Sequence, residues 1–286
     1  MSESRLFKEK VHVAFLGWEI ERIVQPVLRM KGNRLIIICF PKEQEKAWPY
    51  YEEIKNQLEQ NGINVDLIEI SLYKLVDLLS VLNKIFQVEQ AKGNELYINV
   101  SAGTKVTASA STIAAMSSKN VIAYYVNTDT YVPSQENWMP PKSLTSGIKE
   151  IATLPECQID LPESRYIKTL HIIKQMNETK SEFDRVYVKD LIERLKVEDL
   201  ISVKHNPDSR KQASSEYMAA SALLKPLIAW EYITISPKKR NRHVDLLEKG
   251  ENAIRMYYNY GLDAQTVAEN TDKEPKDWIT FLEKIA

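Results

Sequence analysis

The chain has 286 residues, of which 44% are hydrophobic and 27% charged, with a formal net charge of −1. That balance belongs to a folded globular protein with room for two domains, and disorder is not the default reading. No apolar run approaches the roughly 18 residues of a membrane span, and the opening MSESRLFKEK is charged where a signal peptide needs an apolar core. A cytoplasmic protein with no membrane partner is expected. Cys39 and Cys157 form neither a disulfide framework nor a metal spacing, and His12, His171, His205 and His243 are scattered, so the pattern predicts no metal and no cofactor.

Short apolar runs alternate with longer amphipathic ones from the N-terminus onward. Strands are expected at residues 11–18, 34–40, 64–70, 95–100 and 120–126, with helices at 19–30, 48–60, 72–90 and 104–117. This is the βαβ alternation of an α/β fold, a Rossmann-like doubly wound parallel sheet, and it defines a first domain over residues 1–130. Periodicity then fails, with prolines at 133, 140, 141, 155 and 162, so residues 131–163 read as a connector with room for extra strands.

A second domain is expected over residues 164–258, followed by an acidic tail over 259–286. Helical patterns at 165–177, 188–196 and 215–230 precede two short strands, YITIS and HVDLL, which flank the basic turn PKKRNR. Helices followed by a basic-tipped hairpin give the order of a winged helix-turn-helix. Residues 165–258 carry 18 Lys and Arg against 13 Asp and Glu, so any polyanionic partner belongs to this part of the chain, and the winged-helix order makes double-stranded DNA the expected one. Ser214 or Ser215 is expected to cap the third helix, with Glu216 in its first turn. Tyr217, Ser221 and the upstream Arg210, Lys211 and Gln212 are candidate DNA contacts, and Lys238, Lys239, Arg240 and Arg242 are candidate phosphate contacts at the wing. Leu223, Leu224, Leu227 and Trp230 read as core, and Pro226 as the site of a bend.

In an open parallel sheet, ligands sit beyond the carboxyl ends of the strands, where the strand order reverses. With an order 3-2-1-4-5, the loops that meet there are Leu16-Gly17-Trp18 and Ser101-Ala102-Gly103-Thr104-Lys105. Gly103 lets the backbone approach a ligand, the helix start at Thr104 offers amides to an anion, and Ser101, Thr104 and Lys105 can bond phosphate or ribose. A structural turn in which Thr104 merely caps its helix is the alternative. Because the segment is neither GxGxxG nor GxxxxGK[ST], hydrolysis by a P-loop mechanism is not expected.

The run Asn-Val-Ser-Ala-Gly-Thr-Lys at 99–105, before a helix of small residues, resembles the Asn-Val-Thr-Gly-Gly-Thr-Lys signature of the CRISPR-associated Rossmann fold, or CARF, domain. The glycine loop in FLGWEIERIV is similar too, and the whole order resembles archaeal CARF transcriptional regulators with a winged helix. LLEKG followed by ENAIRMYY resembles the exit from the wing in MarR-like regulators. The resemblance implies a homodimer that binds a cyclic oligoadenylate, typically the tetra-adenylate, as an allosteric ligand linked to CRISPR defence. It places Gly17, Trp18, Ser101, Gly103, Thr104 and Lys105 at that ligand, with Ala102 standing where the motif has a glycine. Two enzyme alternatives belong to the same resemblance. In a ring nuclease, a ribose 2′-hydroxyl of the ligand attacks its own phosphate while Lys105 stabilises the charge. Arg165 and His171 also meet the Arg-x4-6-His spacing of HEPN-type effectors, but Tyr166 stands where a polar residue is usual and strands follow, so that match is read as accidental.

Overall fold

The structure, a computed structural model, describes residues 8–131, 142–159, 161–179, 185–237 and 241–257. The acidic tail and the wing residues Lys238, Lys239 and Arg240 lie outside the described residues. The described chain forms two compact units that divide at residue 160.

In the first unit the elements run β1 (Lys10–Phe15), α1 (Glu21–Arg29), β2 (Arg34–Cys39), α2 (Trp48–Glu59), β3 (Asn64–Glu69), α3 (Leu75–Ala91), β4 (Glu95–Asn99), α4 (Lys105–Ser117), β5 (Val121–Tyr131) and β6 (Thr145–Thr153). They build one six-stranded sheet in the order β3-β2-β1-β4-β5-β6. The first five strands are parallel and β6 is antiparallel to β5. Leu35, Ile36, Ile37 and Ile38 are all fully buried, as a parallel strand covered on both faces requires. Ala14, Leu35, Ile37 and Cys39 face a core made with Ile23, Val27, Tyr50 and Ile54 of α1 and α2.

Two features refine the sequence reading of the first unit. β1 ends at Phe15, where its pairing with Ile38 stops, so Leu16, Gly17 and Trp18 belong wholly to the loop. Within the expected connector, Thr145–Thr153 is a sheet strand. It is one of the extra strands for which the connector left room, its bounds blurred by polar edge positions and flanking prolines, and it buries Ile148 against Tyr124 and Val126.

The second unit contains α5 (Ser164–Glu178), β7 (Val186–Tyr187), α6 (Val188–Val197), α7 (Ser209–Ala229), β8 (Ile233–Ile235), β9 (His243–Leu246) and α8 (Glu248–Tyr257). Its sheet has the order β7-β9-β8, all antiparallel, and its core gathers Leu170, Leu191, Leu195, Leu227 and Ile254. Leu223 and Leu224 are buried as expected, whereas Trp230 is 39% exposed and meets Tyr166 edge-on at 5.2 Å.

The start of α7 corrects the sequence reading. Asp208, not Ser214 or Ser215, is the N-cap, and its side chain accepts from the amides of Arg210 and Lys211. Arg210, Lys211 and Gln212 therefore lie within the helix, and Glu216 lies beyond its first turn. Pro226 is accommodated inside the same helix, which runs on to Ala229. No described helix is long and apolar enough to cross a membrane.

Candidate ligand crevice and nucleic-acid interface

The loops after β1 and β4 meet backbone to backbone. A Cβ on Gly17 would lie 2.8 Å from the Gly103 nitrogen, so no side chain fits there without moving the main chain. Gly103 has φ +87, and a Cβ on it would lie 2.6 Å from Thr107 Oγ1 and 2.9 Å from Phe15 Cβ. These contacts join the two loops at the point where the strand order reverses, between β1 and β4.

At the start of α4, Thr104 and Thr107 form a reciprocal capping box. Thr107 N donates to Thr104 Oγ1 at 3.3 Å, and Thr104 N donates to Thr107 Oγ1 at 2.8 Å. Thr104 thus caps α4. Of the four amides a helix start leaves without intrahelical partners, the box takes two and leaves those of Lys105 and Val106 for an anion. Thr104 and Lys105 are exposed, and Trp18 is 39% exposed. Ala102 is buried at 2% and packs into the α1–α2 core, so its methyl stands away from the crevice.

Ser101 is held by the scaffold. Its amide and hydroxyl both donate to Asn99 Oδ1, at 2.9 Å and 2.5 Å, and its hydroxyl accepts from Val126 N at 3.2 Å. Asn99 Nδ2 in turn donates at 2.8 Å to the carbonyl oxygen of Arg22. Pro26, four residues on in α1, has no N–H for that carbonyl, so Asn99 supplies the missing donor from the neighbouring strand.

The Arg22 guanidinium, on a residue only 5% exposed, ties these pieces together. It pairs with Glu19 at 3.0 Å and donates to Ser101 O at 3.2 Å, Tyr125 Oη at 3.1 Å and Tyr131 Oη at 3.2 Å. Sequence reading missed Glu19, Arg22, Asn99, Tyr125 and Tyr131. The available signals were a proline inside a helical pattern and a polar residue closing an apolar strand. Arg165 and His171 are not brought together, because six residues along α5 place them on different sides of the helix.

In the second unit the structure joins two of the predicted DNA residues: Arg242, before β9, donates to the hydroxyl of Tyr217 on α7. Arg210 and Lys211 are exposed in the first turn of α7, Tyr217 is 42% exposed, and Ser221 is half-buried. Gln212 is engaged internally, its Oε1 accepting from Asn206 N and its Nε2 donating to Glu216, both at 2.8 Å. Glu216 is also paired with Lys196 at 2.6 Å, which fixes α7 to α6.

Residues 10–131 match the family model described as HFX_2341_N-like, N-terminal, and residues 167–258 match the C-terminal winged helix domain of DUF6293. Protein MJ1513 of Methanocaldococcus jannaschii, itself uncharacterized, is 26% identical over 148 residues, which cover 49% of this chain and 40% of that relative. Among solved structures, protein VC1899 from Vibrio cholerae is similar at 14% identity and TM-score 0.37, over 93% of this chain and 69% of that one. Can2 from Sulfobacillus thermosulfidooxidans, solved in complex with cyclic tetra-adenylate, is similar at 14% identity and TM-score 0.35, over 91% and 68%. A type III CRISPR defence DNA nuclease activated by cyclic oligoadenylate is similar at 13% identity and TM-score 0.39, over 80% and 36%. At such TM-scores the fold assignment stands on strand order and on the two family models. The chain thus joins a Rossmann-like, mostly parallel six-stranded sheet domain, similar to the HFX_2341_N-like model, to a second domain similar to the C-terminal winged helix of DUF6293.

Proposed function

We propose that the protein is a dimeric, ligand-responsive DNA-binding regulator whose first unit senses a cyclic oligoadenylate, the tetra-adenylate foremost, in CRISPR-linked defence. The observation that carries this reading is the close approach of Gly17 to Gly103 beside the exposed Lys105, in a chain that also has a winged helix domain. Lys105 and the amides of Lys105 and Val106 bind phosphate, Thr104 and Trp18 border the sugar and base, and Ser101 holds the loop in place. The choice of ligand comes from the CARF resemblance of residues 99–105. A cyclic ligand with repeated units suits two copies of the crevice around a two-fold axis, and the same axis presents two winged helices to a symmetric duplex. Arg210, Lys211, Tyr217, Ser221 and the basic wing make the DNA contacts.

A ligand changes DNA affinity only if it prefers one arrangement of the winged helices, and linkage then requires DNA to change ligand affinity by the same factor. The test is a titration of labelled cyclic tetra-adenylate into the full chain, with and without a saturating duplex selected from a random pool. The expected shift in dissociation constant is about five-fold or more. Equal constants in the two titrations overturn the regulator reading, and linear products would place the protein among ring nucleases.

A further inference from the structure

Met218 stands on α7 at 69% exposure, where a methionine contributes nothing to the core. Met176 on α5, by contrast, packs against the core of the same unit. The buried residues of α7 are Ala220, Leu223, Leu224 and Leu227, and they define the side of the helix that meets the core. At about 100° per residue, Met218 points roughly half a turn away from their mean direction. It therefore sits at the crest of the outward face.

Around Met218 the crest is low, and both of its ends are basic. Ser214 and Ala222, one turn before and after it, are small and exposed. Lys211 and Lys225, two turns before and after it, are exposed on the same face and stand about 21 Å apart along the helix axis. Glu216, the sole carboxylate of α7, lies toward the core side, where Lys196 at 2.6 Å and Gln212 at 2.8 Å engage it. Tyr217 is drawn away from the crest, its hydroxyl engaged by Arg242 from beside β9.

One flexible apolar side chain thus rises between small residues, with a cation at each end and no anion on the same face. That arrangement fits a groove whose walls are phosphates and whose floor offers a hydrocarbon group. The major groove of double-stranded DNA is such a surface, and the apolar feature on its floor is the thymine 5-methyl. A methionine side chain is unbranched and polarisable, so it moulds to a methyl group without the fixed geometry of a hydrogen bond.

We infer that Met218 reads thymine: its side chain packs on the 5-methyl of one base in each half-site, while Lys211 and Lys225 hold phosphates on either side. The inference rests on the DNA-binding reading above. It deepens that reading by naming the base and the side chain that recognises it, a residue absent from the contacts expected from sequence.

The test selects a duplex from a random pool with the full chain, then replaces each thymine in turn by deoxyuridine, which removes only the methyl. Binding is titrated for the unaltered chain, Met218→Ala, Lys211→Ala and Lys225→Ala, with thermal melts and light scattering on each. One thymine per half-site is expected to matter, its replacement weakening binding of the unaltered chain about four-fold, the worth of one methyl taken out of water. Met218→Ala should melt as the unaltered chain does, bind the selected duplex about four-fold more weakly, and lose nothing further on deoxyuridine replacement. In each lysine variant the methyl preference should persist, while the slope of log affinity against log salt flattens by about 0.9. A methyl preference of equal size in Met218→Ala, or none at any thymine in the unaltered chain, overturns the inference and leaves DNA binding standing. Loss of the dimer in Met218→Ala assigns the side chain to a contact between copies and overturns the inference as well. Unchanged salt slopes in both lysine variants overturn the placement of this face against DNA. Failure of the unaltered chain to bind any duplex overturns the DNA reading together with the inference.

Discussion

Asn99 donates at 2.8 Å to the Arg22 carbonyl oxygen that Pro26 leaves without a helical partner. Removing the Asn99 amide strands that carbonyl together with the Ser101 amide and hydroxyl, and each buried orphan costs about 1–3 kcal/mol. Asn99→Ala is expected to lower the stability of the first unit by about 3 kcal/mol in urea unfolding. Adding Pro26→Ala should recover about 1 kcal/mol, because the new N–H reaches the Arg22 carbonyl. Additive effects at the two positions would mean that they do not share this carbonyl.

Lys105 tests the phosphate half of the crevice. It is exposed at the start of α4, so Lys105→Ala should leave the melting temperature unchanged. Cyclic tetra-adenylate affinity should fall by about ten-fold to a hundred-fold, the scale of a charge-assisted hydrogen bond. Unaltered affinity in a calorimetric titration rejects the site.

At the wing, alanine in place of Lys238, Lys239, Arg240 and Arg242 should weaken binding to all duplexes alike. The slope of log affinity against log salt should flatten by about 0.9 for each phosphate that is no longer neutralised. An unchanged slope would make the basic turn a solvated surface with no part in DNA binding.

The amino edge of the first sheet carries a separate test of stability. Arg34 pairs there with Glu89 at 2.5 Å, Asp66 at 2.9 Å and Glu9 at 3.1 Å, and the Glu89 side chain is fully buried. Breaking a buried pair from one side leaves the other charge uncompensated, at about 3–5 kcal/mol. Arg34→Met should therefore destabilise the first unit by that amount, while Glu89→Gln, which keeps hydrogen-bonding capacity, should cost less. Chemical denaturation of both variants orders the two effects.

His12 makes the same unit sensitive to mild acid. Burial, and secondarily the charge of Lys10, lowers its pKa from 6.5 to about 4. Its ring stacks on Tyr97 at 5.0 Å, its Nδ1 lies 3.1 Å from Tyr124 Oη, and its Nε2 is buried without a partner. Between pH 6.5 and 4 the unfolded chain binds the proton that the folded chain refuses. The contribution is thus complete above pH 6.5, falls as pH drops and is exhausted near pH 4, amounting to about 3 kcal/mol. His12→Phe should flatten the stability profile in that window, as measured by denaturant midpoints across pH.

The parallel sheet was legible because runs such as Ile36 to Ile38 are continuously apolar, and the tight turn at Gly103 because a glycine stands between a strand and a small-residue helix. The start of α7 was not. Its first two turns are polar on all sides, with Arg210, Lys211 and Ser214 exposed, so apolar periodicity begins only later and Ser214 and Ser215 offered plausible caps. β7 has two residues, too few for any period, and shows itself only through its pairing with β9. The bond from Asn99 to Arg22 spans 77 residues of sequence, and nothing local to either residue announces it.

β9 lies in the middle of its sheet, with β8 bonded on one side and β7 on the other, and Val188 N at the start of α6 donates to Arg242 O at 2.9 Å. The returning arm of the wing is thereby riveted to the chain immediately before α6. A wing pressed sideways cannot pivot at its root, so the load passes as torque into α6, and through the Lys196–Glu216 pair into α7. On the proposed reading, grip on a backbone groove and the aim of α7 are mechanically one setting.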